Sequence, residues 1–244
     1  MWSSIEQIIK PESLNEALIL QKHSGSILFT GGSYLVSQKS EKIHTLVDIN
    51  HLLSDTLVNQ EGAMEIGSGC TLQDILNLAD RHLTQAISAS CPSKNIRNQR
   101  TIGGEIAQAR PDSDLLVYLH AAEARVELNE SNKFIPIAKW DGSGIISKLH
   151  IPQSDTRFER VAVLDSATAY VIVAVHQTAQ NITVAIGGKM TKIISCKSSL
   201  SPEEDQIRTF MEQVESAFSD DHFGSPAYKR QLVSNLLTEL TVVS

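Results

Sequence analysis

Cysteine is scarce in this chain of 244 residues: Cys70, Cys91 and Cys196 are widely spaced and never form a CxxC pair. That excludes a disulfide framework and a cluster held by thiolates, and leaves reduced thiols in a cytoplasmic protein as the expectation. None of the eight histidines stands in an HExxH pattern or at zinc-ligand spacing from a cysteine, so no metal site of its own is expected. Long apolar runs are also missing. YVIVAV at Tyr170–Val175 falls far short of the roughly 20 residues that span a bilayer, so no membrane segment is expected. The opening MWSSIEQIIKP lacks the basic flank and apolar stretch of a secretory leader. No basic run reaches five residues, and 28 Asp+Glu outnumber 21 Lys+Arg for a net charge of −7. Nucleic acid is therefore not an expected partner.

What is present is a globular composition, 41% hydrophobic, in a chain long enough to bury a real core. Leu14, Ala17 and Leu18 repeat at helical spacing after Ser13, a capping residue, which predicts a helix over 13–23. SILFTGGS reads as a buried strand entering a glycine turn, and HTLVDIN, 44–50, as a second strand. AMEIGSG reads as a strand ended by Gly67 and Gly69. Thr71 then caps a helix TLQDILNLADRH with Asp74 in the reciprocal position. After Asp114 comes an apolar helix, LLVYLHAAEA, followed by the strands ARVELNE and IISKLHIP. From Arg157 the pattern turns antiparallel, with RFERVAVL, ATAYVIVAVHQ, a TAQN turn and ITVAIGG. Two helices close the chain. Their apolar stripes, Ile207, Phe210, Met211, Val214, Ala217 and Phe218, then Tyr228, Leu232, Leu236, Leu237 and Leu240, read as core.

Two glycine pairs follow apolar segments: FTGGSYL, 29–35, and TIGGE, 101–105. Glycines after a strand let successive N–H groups line a concavity that suits anionic oxygens, although one such turn is weak evidence by itself. Neither turn fits GxGxxG, and GSGCTL at 67–72 breaks it at the last position. A nicotinamide-type Rossmann domain is not expected.

The order of the pieces is more specific. Strand–GGS, VDI, EIGSGCTLQDI, IRNQRTIGGEIAQARPDSDLL, RFERV, AIGG and SPAYKRQLVSNLL together resemble the FAD-binding subunits of the molybdenum hydroxylases, the family of the xanthine dehydrogenase and aerobic carbon monoxide dehydrogenase flavoproteins. The resemblance covers nearly the whole chain. It implies an α+β protein with the FAD-binding fold of the vanillyl-alcohol oxidase type. Two α/β subdomains, about 1–55 and 56–154, would form an FAD-binding domain over 1–154, followed by a C-terminal flavoprotein domain of antiparallel strands and helices over 155–244. It further implies that Thr30, Gly31, Gly32, Ser33, Tyr34 and Leu35 wrap the pyrophosphate of FAD. Thr101, Ile102, Gly103, Gly104 and Glu105 would lie along the phosphates and ribityl chain. Asp114 would meet cofactor hydroxyls, with a plain helix cap as the bland reading of that residue, and Arg160 would stand where a flavin-contacting cation is common. No catalytic residue is expected in the chain.

Four departures bear on the cofactor. Glu105 stands where the family usually has asparagine, and an ionised carboxylate cannot donate a hydrogen bond to a phosphate. Tyr34 replaces a common acidic residue. Arg100 and Arg110 occupy places usually held by small residues, where either can offset Glu105 or meet the phosphates. FIPIAKWDGSGIISKLHIP is shorter than its usual counterpart, which implies a more open isoalloxazine site. A carboxylate about 5 Å from a pyrophosphate charge would be repelled by roughly 3 kcal/mol at an effective dielectric near 20, so Glu105→Asn is expected to tighten FAD binding. The resemblance implies a cytoplasmic subunit that passes electrons from a 2Fe-2S iron–sulfur subunit to NAD+ or another acceptor, beside a molybdopterin-binding subunit. Two alternatives stay open: a degenerate flavin subunit with a structural role, and a stand-alone flavin oxidoreductase.

Overall fold

The computed structural model describes residues 2–60 and 62–242. The chain opens with β1 (Gln7–Ile9), α1 (Leu14–Leu20), β2 (Ser26–Phe29), α2 (Leu35–Gln38) and β3 (Thr45–Asp48). It continues through β4 (Leu57–Gln60), β5 (Ala63–Gly67), α3 (Leu72–Leu76), α4 (Arg81–Ser90), α5 (Lys94–Arg97), α6 (Ile102–Ala107) and α7 (Asp114–Ala121). Then come β6 (Arg125–Leu128), β7 (Phe134–Pro136), β8 (Ile146–Pro152), β9 (Thr156–Val161), β10 (Val171–Gln177), β11 (Asn181–Gly188), β12 (Ile194–Ser199), α8 (Glu204–Ala217) and α9 (Pro226–Val242). These group into two compact units, each assembled from three chain segments: Met1–Leu78, Ser93–Gln108 and Arg125–His150 in the first, and Ala79–Pro92, Ala109–Ala124 and Ile151–Ser244 in the second. None of the helices among the described residues is long and apolar enough to cross a membrane.

The first unit holds a three-stranded parallel sheet in the order β1-β3-β2, with Phe29 opposite Asp48 at its end, and a five-stranded sheet in the order β4-β5-β8-β6-β7. α1 begins where Ser13 Oγ accepts from Glu16 N, and its Leu14 and Ala17 join Val47, Ile49 and Ile145 in a small core. At α3 the expected capping box is present, with Thr71 and Asp74 each bonded to the other's backbone. The long helix expected over 71–82 is broken, however. α3 ends at Leu76, and a new helix, α4, starts after Asp80, whose carboxylate caps Leu83 N.

The second unit is a four-stranded antiparallel sheet in the order β12-β11-β10-β9, with Val171 opposite Gly188 and Val161. Side chains alternate across a strand. Val171, Val173 and Val175 therefore share a face with Val184 and Ile186, and there they pack with Met211, Val214, Ala217 and Phe218 of α8 and its C-cap, and with Val233 and Leu240 of α9. Ile172 and Ala174, both fully buried, occupy the opposite face, and α7 packs on β10 and β11. At Gly187 a Cβ would stand 2.3 Å from Val117 Cγ2 and 2.4 Å from the Pro111 carbonyl oxygen, so the backbone approach to α7 requires glycine there. With helices on both faces, β10 has to be apolar at consecutive positions, which explains the unbroken run VIVAV.

Candidate functional site

The first glycine turn leaves β2 at Thr30 and enters α2 at Leu35, and its two glycines do different work. A Cβ at Gly31 would fall 1.6 Å from the Gln99 carbonyl oxygen, so this glycine lets the turn press against the segment before α6. Gly32 has a φ of +67°, and a Cβ there would meet the Phe29 ring at 2.4 Å. Among the described residues, no protein acceptor takes the N–H groups of Gly31, Gly32 and Ser33.

The second glycine pair is not a turn. TIGGE forms the start of the six-residue helix α6, capped by Thr101, whose Oγ1 accepts from Gly104 N at 3.2 Å. Thr101 Oγ1 also shares a 3.1 Å hydrogen bond with Thr30 Oγ1, which ties the two motifs together. Gly103 packs on Ser68, where a Cβ would stand 2.8 Å from Ser68 Cβ. Gly104 is the glycine that faces the hydroxyl pair: its missing Cβ would lie 3.0 Å from Thr101 Oγ1 and 3.1 Å from Thr30 Oγ1.

Between these motifs lies a cavity of about 330 Å³. All six residues of the expected first turn, Thr30, Gly31, Gly32, Ser33, Tyr34 and Leu35, line it, as do Thr101, Gly103 and Gly104. Ile102 and Glu105 do not. Ile102 is buried in the core, and Glu105, 1% exposed, turns its Oε2 to Nη1 of Arg100 at 3.2 Å. Arg100 reaches the cavity wall and donates from Nε to Ser33 Oγ at 3.1 Å. The carboxylate that the sequence suggested would repel a diphosphate is thus ion-paired behind the cavity wall.

Asp114 and Arg160 belong to the second unit and meet each other: Arg160 Nε donates to Asp114 Oδ1 at 2.9 Å. The same guanidinium donates to the carbonyls of Asp165 and Ala167 in the β9–β10 connection. Asp114 is not the cap of α7. Ser113 holds that position, accepting from Leu116 N, and Asp114 follows it as the first residue of the helix. Burial pushes the Asp114 carboxyl up to about 6, against the pull of Arg160.

The far wall of the cavity is made by Trp140, Gly142, Gly144 and Ile145, which belong to the shortened segment that the sequence ties to the isoalloxazine site, although the pattern named none of them individually. Trp140 Nε1 donates to the Ser143 carbonyl at 2.8 Å, and Asp141 Oδ1 accepts from Ser143 N and Oγ. Gly142 and Gly144 take positive φ values of +85° and +78° on either side of Ser143. An aromatic beside two glycines in WDGSG was the available signal. Burial first, then Asp74, pushes the Cys70 thiol up to about 11, which favours the neutral thiol near neutrality.

The family model described as the FAD binding domain in molybdopterin dehydrogenase matches residues 3–153. The chain belongs to that family, and FAD is its cofactor. It is 24% identical to the uncharacterized protein YgfM of Escherichia coli (strain K12), over 97% of this chain and 95% of that one. It is 25% identical to the glyceraldehyde dehydrogenase medium chain of Sulfolobus acidocaldarius, over 93% and 94% respectively. In fold it resembles a chain of the carbon monoxide dehydrogenase of Hydrogenophaga pseudoflava, with a TM-score of 0.70 at 16% identity, covering 96% of this chain and 95% of that one.

The cavity residues fit an anionic dinucleotide. Among the described residues, three backbone N–H groups lack a protein acceptor, the hydroxyls of Thr30 and Ser33 stand beside them, and Arg100 is the single charged residue of the lining. Such a nest suits a diphosphate.

Proposed function

We propose that the chain is the FAD-binding subunit of a molybdenum hydroxylase assembly. It would stand between a 2Fe-2S subunit and a final acceptor such as NAD+, with the organic substrate oxidised on a molybdopterin-binding subunit. Bound FAD supplies the ability to take electrons one at a time and release them in pairs. The chain's own residues would bind and orient it. Gly31, Gly32 and Ser33 would offer their N–H groups to the diphosphate, Thr30 and Thr101 hold the two motifs together, and Trp140 gives the cavity an aromatic wall. The observation that carries this reading is the nest of open N–H groups on the wall of the first unit's cavity.

The alternative of a degenerate, structural subunit drew on Glu105, Tyr34 and the shortened loop, and the ion pair with Arg100 speaks against the first of these. A stand-alone oxidoreductase is separated from this proposal by turnover, since only the stand-alone reading has the chain oxidise a substrate without partner subunits. Native purification tests the proposal. The chain is expected to carry flavin absorbance, to co-purify with an iron–sulfur protein, and to contribute to substrate oxidation only in that company. Sustained turnover of a purine or aldehyde by the chain alone would overturn it.

A further inference from the structure

Arg100 stands apart in the cavity. Of the residues that line it, Arg100 alone is charged, and its side chain is only 12% exposed. Burying a guanidinium is costly unless it is paired. Glu105 supplies that pairing from behind, itself 1% exposed, while Ser33 Oγ holds Nε from the glycine turn. Two contacts at fixed points of a planar fork set its orientation. A guanidinium has five N–H donors. The structure gives one at Nε to Ser33 and one at Nη1 to Glu105, and among the described residues no protein acceptor takes Nη2. The open N–H groups of Gly31, Gly32 and Ser33 belong to the same wall.

Resting on the reading that this cavity holds FAD, we propose that Arg100 binds the diphosphate directly through its remaining donors, and that Glu105 is a positioning residue that makes a buried arginine tolerable there. The pair is a charged clamp. The arginine meets the ligand's anionic oxygens, and the carboxylate behind it never does. The ligand's charge, rather than its flavin ring, is what the clamp recognises.

The test is FAD titration of the full-length chain at several salt concentrations, followed by flavin fluorescence. The variants are Arg100→Gln, and Arg100→Met combined with Glu105→Gln, which leaves no unpaired buried carboxylate. A cooperative thermal transition establishes that each is folded, and the milder Arg100→Gln carries the test should the double variant fail to fold. Wild-type affinity is expected to fall as salt rises, because an exposed edge of a charge pair is screened. Both variants are expected to bind FAD about ten- to a hundredfold more weakly at low salt, the range expected for charge-assisted hydrogen bonds. Their affinity should depend much less on salt. Unchanged affinity, or a loss that leaves the salt dependence as in wild type, would overturn the assignment of Arg100. A wild-type chain that takes up no FAD would instead bring down the reading of the cavity, and this inference with it.

Discussion

Asp114 shows how burial and a single cation contend over one carboxyl. It is 1% exposed and holds Arg160, yet burial outweighs that cation and lifts its carboxyl to about 6. Unfolded, an aspartate titrates near 3.9. The folded chain therefore binds this proton more tightly, and the associated stability is complete below about pH 4 and lost as pH rises towards about 6. Such a rise corresponds to a loss on the order of 3 kcal/mol. Asp114→Asn should abolish that slope, leaving a variant whose stability changes less between pH 4 and 6 than that of wild type. Urea midpoints for both proteins at pH 4, 5 and 6 measure it, and parallel curves would refute it. Glu105 gives a second case. Paired and buried, it offers no repulsion to relieve, so Glu105→Asn is expected to cost about 2 kcal/mol of stability and not to tighten FAD binding. Thermal melts and a FAD titration read the two effects separately, and the tighter binding suggested by sequence alone would contradict the ion pair. Sequence identified Glu105 as unusual. It could not reveal the residue's direction, because that depends on which way the first turn of α6 faces.

At the scale of elements, α9 separates what periodicity shows from what it hides. Its leucines, Leu232, Leu236 and Leu237, pack only partly, while Val233 and Leu240 are buried and Tyr228 is 49% exposed. The true stripe runs through Lys229, one turn before Val233, and no apolar pattern can disclose a lysine that lies inside. Lys229 is fully buried, donating from Nζ to the Ser219 carbonyl at 2.7 Å and to Asp221 Oδ1 at 2.7 Å. This clamp fastens the start of α9 to the turn after α8. Removing Asp221 alone strands a buried ammonium, which costs about 3 kcal/mol, whereas Lys229→Met with Asp221→Asn removes the charge problem. The double variant should be more stable than Asp221→Ala, by chemical denaturation. Equal losses would show that the pair is no clamp. The strands of the second unit were legible because VIVAV and ITVAIGG are β-branched and continuous, whereas β12, ISCKSS, is mostly polar and sits at the sheet edge, where sequence gives little sign. TIGGE misled in the opposite sense. Two glycines argue for a turn, but Thr101 as cap and the close approach to Ser68 make a short helix there.

For the molecule as a whole, the resemblance implies domains that meet between 154 and 155, close to where the antiparallel pattern begins. The compact units instead interleave along the chain: α4 and α7 precede that point yet belong to the second unit. The consequence can be measured with a chain cut between 154 and 155. α7 buries Leu115, Leu116, Val117, Tyr118 and Leu119, each at most 3% exposed, and it packs on β9, β10 and β11. Tyr118 meets Phe158 of β9 edge to face at 6.5 Å between ring centroids. A fragment 1–154 keeps the helix and loses the sheet. Each large apolar side chain left in water forfeits about 1.5–3 kcal/mol, so five of them lose on the order of 10 kcal/mol, as much as a typical domain's whole stability. The fragment is therefore expected to bind a hydrophobic dye and to melt without a cooperative transition. Fragment 155–244 should fare no better, since Ile172 and Ala174 lose the helix that covers them. Mixed, the two fragments should restore a single cooperative transition, because every contact of the intact second unit can re-form without the peptide bond at 154. A fragment 1–154 that is monomeric, dye-silent and cooperative by calorimetry would show that α7 finds cover within the N-terminal segment and that the interleaving is dispensable.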